Sequence, residues 1–271
     1  MTANTTTQLG NPVWIDFGSN DFEASKKFYT DLFGWTFEDG GEQVGHYNMI
    51  RKDGALVGGA MNTAGMTCPE GGEIPSSWDI YLSVADVDAT VERATGLGAQ
   101  VIVPAGDAGP AGRFAVLLDP TGASIGLWQA GDTTGFEFTG QPGTPMWFEL
   151  LTQDFAKSTD FYGQLVGFNP VRLTEPMDDD DNRYATNGPQ DQASYGICDV
   201  AGFVPESEGS FWRVYFGVEN TDQAVPRIQE LGGKLLDGPV DSPFGRIATI
   251  ADPQGATFQI VAPDQAVPEG R

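Results

Sequence analysis

The chain has 271 residues, 40% of them hydrophobic, which is enough to build folded cores and excludes wholesale disorder. Against 14 Lys and Arg stand 38 Asp and Glu, a formal net charge of −24. So acidic a surface repels phosphate backbones and anionic lipid heads, and neither nucleic acid nor membrane is expected as a partner.

Residues 13–17 alternate as a strand, and Ser19 or Asn20 is expected to cap a helix that starts near Asp21. Phe22, Phe28, Tyr29, Leu32 and Phe33 recur at helical spacing, and Gly34 ends the helix. Short strands are expected at 36–38, 47–51 and 57–61, the last two joined by a Lys52-Asp53-Gly54 turn. The order then returns as a strand at 79–84, a helix at 87–96, and strands at 100–103, 114–119 and 124–128. A Gly- and Thr-rich connector covers 131–142, with Phe136 and Phe138 as its packing residues.

Beyond the connector the whole pattern repeats. Gly10, Pro12 and Trp14 return as Gly143, Pro145 and Trp147, and Phe28-Tyr29 returns as Phe161-Tyr162, at an offset of 133. Trp78, Tyr81, Val84 and Asp88 return as Trp212, Tyr215, Val218 and Asp222 at 134, and Asp119-Pro120 returns as Asp252-Pro253 at 133. So constant an offset means duplication of an entire domain. The expected division is a first domain at 10–130, a linker at 131–142 and a second domain at 143–263, four βαβββ units in all.

Two cysteines, Cys68 and Cys198, cannot build a disulfide framework and read as free thiols in a reducing cytoplasm. The start is polar and Thr-rich, without the layout of a signal peptide, and no stretch has the length and apolarity of a membrane span. The acidic run at 178–181 lacks the glycine and closing glutamate of a calcium loop and reads as a solvated hairpin. His46 is the sole histidine, so no set of two or three imidazoles can form within one chain. It stands beside Gly45, where a catalytic acid–base role and an exposed hairpin end are both open.

Asp21 after a strand, Phe28-Tyr29 with Leu32-Phe33-Gly34-Trp35, and Asp119-Pro120-Thr121-Gly122 before a last strand resemble the vicinal-oxygen-chelate superfamily. That superfamily includes glyoxalase I, bleomycin-resistance proteins and extradiol dioxygenases, and the likeness is nearest to two-domain actinobacterial glyoxalase-like proteins. It implies an α+β fold of four βαβββ units in two tandem domains, their mixed sheets curled into ligand-holding cups. It also implies strand positions for metal ligands. In this chain those positions fall on Trp14 and Trp147, on Asp79 and Arg213, and on Gly126 and Gln259. None is His or Glu; indole, guanidinium and glycine cannot bind a divalent cation, and only Asp79 is an oxygen donor, with Gln259 a weak neutral one. The expectation is therefore no metal and no cofactor.

Strand alternation gathers Trp14, Asp16, Asp79, Tyr81 and Trp128 in the first cup, and Trp147, Glu149, Arg213, Tyr215 and Gln259 in the second. Aromatic walls with a few charged groups are what small-molecule pockets use. Two readings stay open. One is a metal-free binder of an aromatic or anionic molecule, acting as monomer or homodimer, with the Trp, Tyr, Glu149, Arg213 and Gln259 side chains as contacts. The other is an enzyme, a lyase, isomerase or oxygenase, using Asp16, Asp79 or His46 or a non-standard metal site. Against both stands a plainer arrangement, with Arg213 paired to Glu149 and the tryptophans in the core.

Overall fold

The computed structural model describes residues 8–67, 71–138, 140–172, 183–189 and 192–266; Cys68 and the acidic run at 178–181 lie outside them. The first copy runs β1 (Pro12–Ser19), α1 (Phe22–Phe33), β2 (Trp35–Asp39), β3 (Asn48–Lys52), β4 (Ala55–Asn62), β5 (Ser77–Ser83), α2 (Val87–Gly96), β6 (Gln100–Asp107), β7 (Gly112–Leu118) and β8 (Ser124–Ala130). The second runs β9 (Pro145–Thr152), α3 (Phe155–Val166), β10 (Val171–Arg172), β11 (Tyr184–Thr186), β12 (Tyr195–Asp199), β13 (Phe211–Gly217), α4 (Thr221–Glu230), β14 (Lys234–Ser242), β15 (Gly245–Ala251) and β16 (Thr257–Ala262). Each copy forms one mixed eight-stranded sheet, in the orders β2-β3-β4-β1-β5-β8-β7-β6 and β10-β11-β12-β9-β13-β16-β15-β14. The α+β architecture of four βαβββ units is thus the one the repeat implies. Among the described residues no helix is long and apolar enough to cross a membrane.

One local expectation is corrected. The cap of α1 is Asp21, whose Oδ1 accepts from Ala24 N at 3.3 Å, and not Ser19 or Asn20. Ser19 stays in β1, paired with Asn62, and its hydroxyl meets Ser25 Oγ at 2.7 Å. The copies agree here too, since Asp154 caps α3. Both helices end on a glycine in the left-handed region, Gly34 at φ 70° and Gly167 at φ 76°, which other residues enter only with strain.

Alternation sends Ile15 and Phe17 of β1 to the helix-covered face and Trp14 to the other. The helix-covered faces of both copies share one core. Phe216 of β13 lies 5.3 Å from the rings of Phe33 and Trp35, and 5.2 Å from Trp78. The connector is tied down as well: Phe136 N donates to Val13 O, Glu137 N donates to Leu56 O, and the Phe136 ring stacks on Phe148.

The two copies are also latched by reciprocal hydrogen bonds. Tyr29 of α1 donates to Asp252 Oδ2 at 3.0 Å, in the turn before β16 of the other copy. Tyr162 of α3 donates to Asp119 Oδ2 at 3.0 Å, in the matching turn of the first copy. Each phenol in turn accepts an indole N–H from its own copy, Trp78 onto Tyr29 and Trp212 onto Tyr162. The second oxygen of each aspartate is taken by its own turn, Asp252 Oδ1 by the N–H groups of Gln254 and Ala256, and Asp119 Oδ1 by those of Thr121 and Ala123. The Asp-Pro-x-Gly segment therefore both closes a turn and holds the two domains together.

Candidate functional site

On the face away from the helices, the central strands β1 and β5 pair antiparallel with Trp14 opposite Tyr81 and Asp16 opposite Asp79. In the second copy β9 and β13 repeat this register, Trp147 opposite Tyr215 and Glu149 opposite Arg213. The parallel neighbour adds Gly126 beside Tyr81 in one copy and Gln259 beside Tyr215 in the other. The six implied metal-ligand positions thus do converge, three in each cup.

The first cup is packed. Trp14 and Trp128 stack with ring centroids 6.4 Å apart, and with Val13, Leu56 and Tyr81 they form a buried cluster. Trp128 Nε1 is already used by Thr133 O at 3.0 Å. Asp16 accepts from Trp14 Nε1 at 2.8 Å, from the Tyr47 hydroxyl and from Tyr81. Burial pushes the Asp16 carboxyl up, and these three donors pull it back only in part. Asp79 has Ser124 Oγ at 2.9 Å, and burial, with Asp16 nearby, pushes it up to about 6.

The Asp79 shift has a consequence for stability. Between pH 4 and about 6 the folded chain holds a proton on Asp79 that the unfolded chain has lost. Stability should fall as pH rises through that window, by at most about 3 kcal/mol, and level off above it. Urea titrations across the window should show the fall in the native chain and a smaller one in Asp79→Asn. Parallel curves for the two proteins would refute the assignment.

The second cup is built from the same parts with four changes, one of them Gln259 in place of Gly126. Glu149 replaces Asp16 and accepts from Tyr215 at 2.6 Å and from Tyr184. Burial raises its carboxyl, which the Tyr215 hydrogen bond, the Arg213 charge and Tyr184 oppose. Val261 takes the register place of Trp128, so the second indole is missing and Trp147 is partly exposed where Trp14 is buried. Arg213 replaces Asp79, with its guanidinium 5.4 Å from the Phe211 ring centre. The expected alternative of an Arg213–Glu149 pair is not what forms. Arg213 Nε is buried without a hydrogen-bond partner, and so is Oε1 of Gln259, a residue only 5% exposed.

Two contributors were not singled out in the sequence. Tyr47 and Tyr184 each accept the indole N–H of the cup tryptophan, at 3.0 and 3.1 Å, and Tyr47 in turn donates its O–H to Asp16 Oδ1. Each phenol lies across a glycine, Gly59 or Gly196, where any Cβ would overlap its hydroxyl. His46 is elsewhere, an exposed side chain held by Asp39 Oδ2 at 3.0 Å, and it joins neither cup. Cys198 borders Glu149 and Arg213, and burial pushes its thiol up to about 12, so it stays protonated and unreactive near neutrality. Two surface clefts, of ≈ 570 Å³ around Phe203 and ≈ 360 Å³ between Leu9 and Gly167, lie away from both cups.

A family model for the Glyoxalase/Bleomycin resistance protein/Dioxygenase superfamily matches this chain twice, at residues 12–127 and 144–260. The chain belongs to that superfamily. "Putative glyoxylase CFP32" of Mycobacterium tuberculosis is 37% identical over 261 residues, covering 94% of this chain and 95% of its own. "Anthracycline biosynthesis protein DnrV" of Streptomyces peucetius is 34% identical over 273 residues, covering 93% of each. Among solved structures, the Mn(II)-bound glyoxalase of Novosphingobium aromaticivorans superposes with a TM-score of 0.62 at 15% identity, over 96% of this chain and 85% of that one. The 2,3-dioxygenase LapB of Pseudomonas sp. KL28 gives 0.63 at 15% identity, over 94% and 92%. These two share the fold.

A metal such as the one in that glyoxalase does not fit the residues present. In the first cup Trp14 offers no donor, Gly126 no side chain, the Tyr81 ring lies across the Gly126 position, and Asp79, bonded to Ser124 Oγ, is left as a single carboxylate at the three positions. In the second, Arg213 brings a positive charge to the place a cation would need. Among the described residues no three His, Cys, Asp or Glu side chains are grouped to hold a metal ion.

Proposed function

We propose that this chain is a metal-free small-molecule binder whose second cup takes an aromatic compound bearing an anionic oxygen. The observation that carries the reading is the pair of buried, unpartnered polar atoms in that cup, Arg213 Nε and Gln259 Oε1. A polar group left buried and unpaired costs about 1–3 kcal/mol, a cost that a bound ligand offsets. Guanidinium favours carboxylate and phenolate oxygens, and the partly exposed Trp147 indole suits a ring. The relative named for anthracycline biosynthesis supports the aromatic part of this reading, since anthracyclines are planar fused-ring compounds. The first cup, packed with indoles and floored by Asp16 and Asp79, should repel the same anion.

The test is titration of aryl carboxylates against tryptophan fluorescence, with and without a chelator. Arg213→Ala should remove about 1.5–3 kcal/mol of affinity, roughly 10- to 150-fold, while Asp79→Ala leaves it nearly unchanged. Added Zn²⁺, Ni²⁺ or Mn²⁺ should alter neither affinity nor melting temperature. If Arg213→Ala weakens no probe and only lowers the melting temperature, Arg213 serves the fold and the reading fails.

A second reading, acid–base catalysis in the first cup, is favoured by one observation. Asp79, pushed up to about 6, faces Asp16 across adjacent strands, and two carboxyls with different environments are how acid and base roles are divided. Solvent deuterium exchange into an α-hydroxy ketone, present in the native chain and lost in Asp79→Asn, would support it.

A further inference from the structure

Arg213 and Gln259 differ in what they demand of a ligand, and the difference narrows the ligand class. Arg213 Nε is a donor and asks for an acceptor; Gln259 Oε1 is an acceptor and asks for an O–H or N–H. The two residues are near neighbours on one face. Gln259 stands beside Tyr215 in the parallel β13–β16 register, and Arg213 lies two residues back along β13 on the same side. In the structure no neighbouring group meets either demand. The Tyr215 hydroxyl donates to Glu149 at 2.6 Å, the Tyr184 hydroxyl accepts from Trp147 at 3.1 Å, and the Cys198 thiol hydrogen bonds to Asp199 O at 3.7 Å. The first copy shows that the fold does not require this amide, because glycine holds the same place there.

We infer that the second cup selects hydroxy- or amino-substituted aromatic anions, with the charged oxygen on Arg213 and the ring O–H or N–H donated to Gln259 Oε1. This rests on the binding role proposed above and adds the second point of recognition. A site built to receive a hydrogen bond discriminates against an analogue that lacks the donor, because the buried acceptor is then left unpaired. Arg213 would set whether an anion binds, and Gln259 which one.

The experiment compares benzoate with its 2-, 3- and 4-hydroxy derivatives and the three matching methoxy compounds, by calorimetry on the full chain. At least one hydroxybenzoate should bind about tenfold tighter than both its methoxy counterpart and benzoate. Gln259→Met, close in volume and without an acceptor of comparable strength, should lower the hydroxybenzoate to the affinity of its methoxy counterpart and so erase that preference. Its melting temperature, measured alongside, confirms that the variant is folded. Equal affinity for hydroxy, methoxy and plain benzoate, or a preference that survives Gln259→Met, overturns the inference while Arg213-dependent binding stands. If no probe binds, the inference and the reading beneath it both fall.

Discussion

Replacing Tyr29 by Phe is expected to lower the unfolding free energy by about 2–4 kcal/mol, because one hydroxyl serves two buried partners. Its loss strands the indole N–H of Trp78 and the Oδ2 of Asp252 together. Neither group reaches water easily, since Asp252 is 1% exposed and Trp78 8%. Pseudosymmetry makes the expectation sharper: Tyr162→Phe strands Trp212 and Asp119 in the same way and should cost a similar amount. Both latches cross between copies and sit in one shared core, so each variant should still unfold in a single transition. Urea denaturation followed by tryptophan fluorescence reads the midpoint and the number of steps. A midpoint unmoved in both variants would mean that the latches add nothing to the core. Two separated transitions would mean that the copies unfold as independent units.

The latches were invisible in the sequence for a definite reason. Tyr29 and Tyr162 fall on the apolar stripe of their helices, and Asp119 and Asp252 fall in turns, so each already has a sufficient local explanation. Only the pairing of the two copies brings helix and turn together. The strands were legible because alternation and helical spacing are imposed residue by residue by the faces they bury. The register of the cup was legible too, since the duplication fixed Trp14 with Trp147 and Tyr81 with Tyr215. Tyr47 and Tyr184 escaped because the copies differ in length just before them. They correspond at an offset of 137, not 133, as do Gly59 and Gly196. A glycine inside a strand at the same place in both copies was the available signal, marking a close approach by another group. That Arg213 Nε and Gln259 Oε1 would be left unpaired could not be read from spacing, because it depends on side-chain pairings such as the Tyr215 donation to Glu149.

A large packing effect is expected at Gly126. The Tyr81 ring fills the space above Gly126, with three of its atoms within 2.5 Å of where a Cβ would stand. In the second copy Glu149 extends to meet Tyr215, and Gln259 has room for a full side chain beside it. A Cβ at position 126 overlaps the Tyr81 ring, which is buried against Trp14 and Trp128 and cannot swing aside without opening that cluster. Gly126→Ala should therefore cost about 2–4 kcal/mol, the upper range for overpacking a core. The decisive measurement is a double-mutant cycle: in the Gly126→Ala background, Tyr81→Ala should cost about 1–3 kcal/mol less than it does alone, because removing the ring relieves the clash. Strictly additive costs would mean that the Tyr81 ring does not occupy the space over Gly126, and that the first cup is as open as the second.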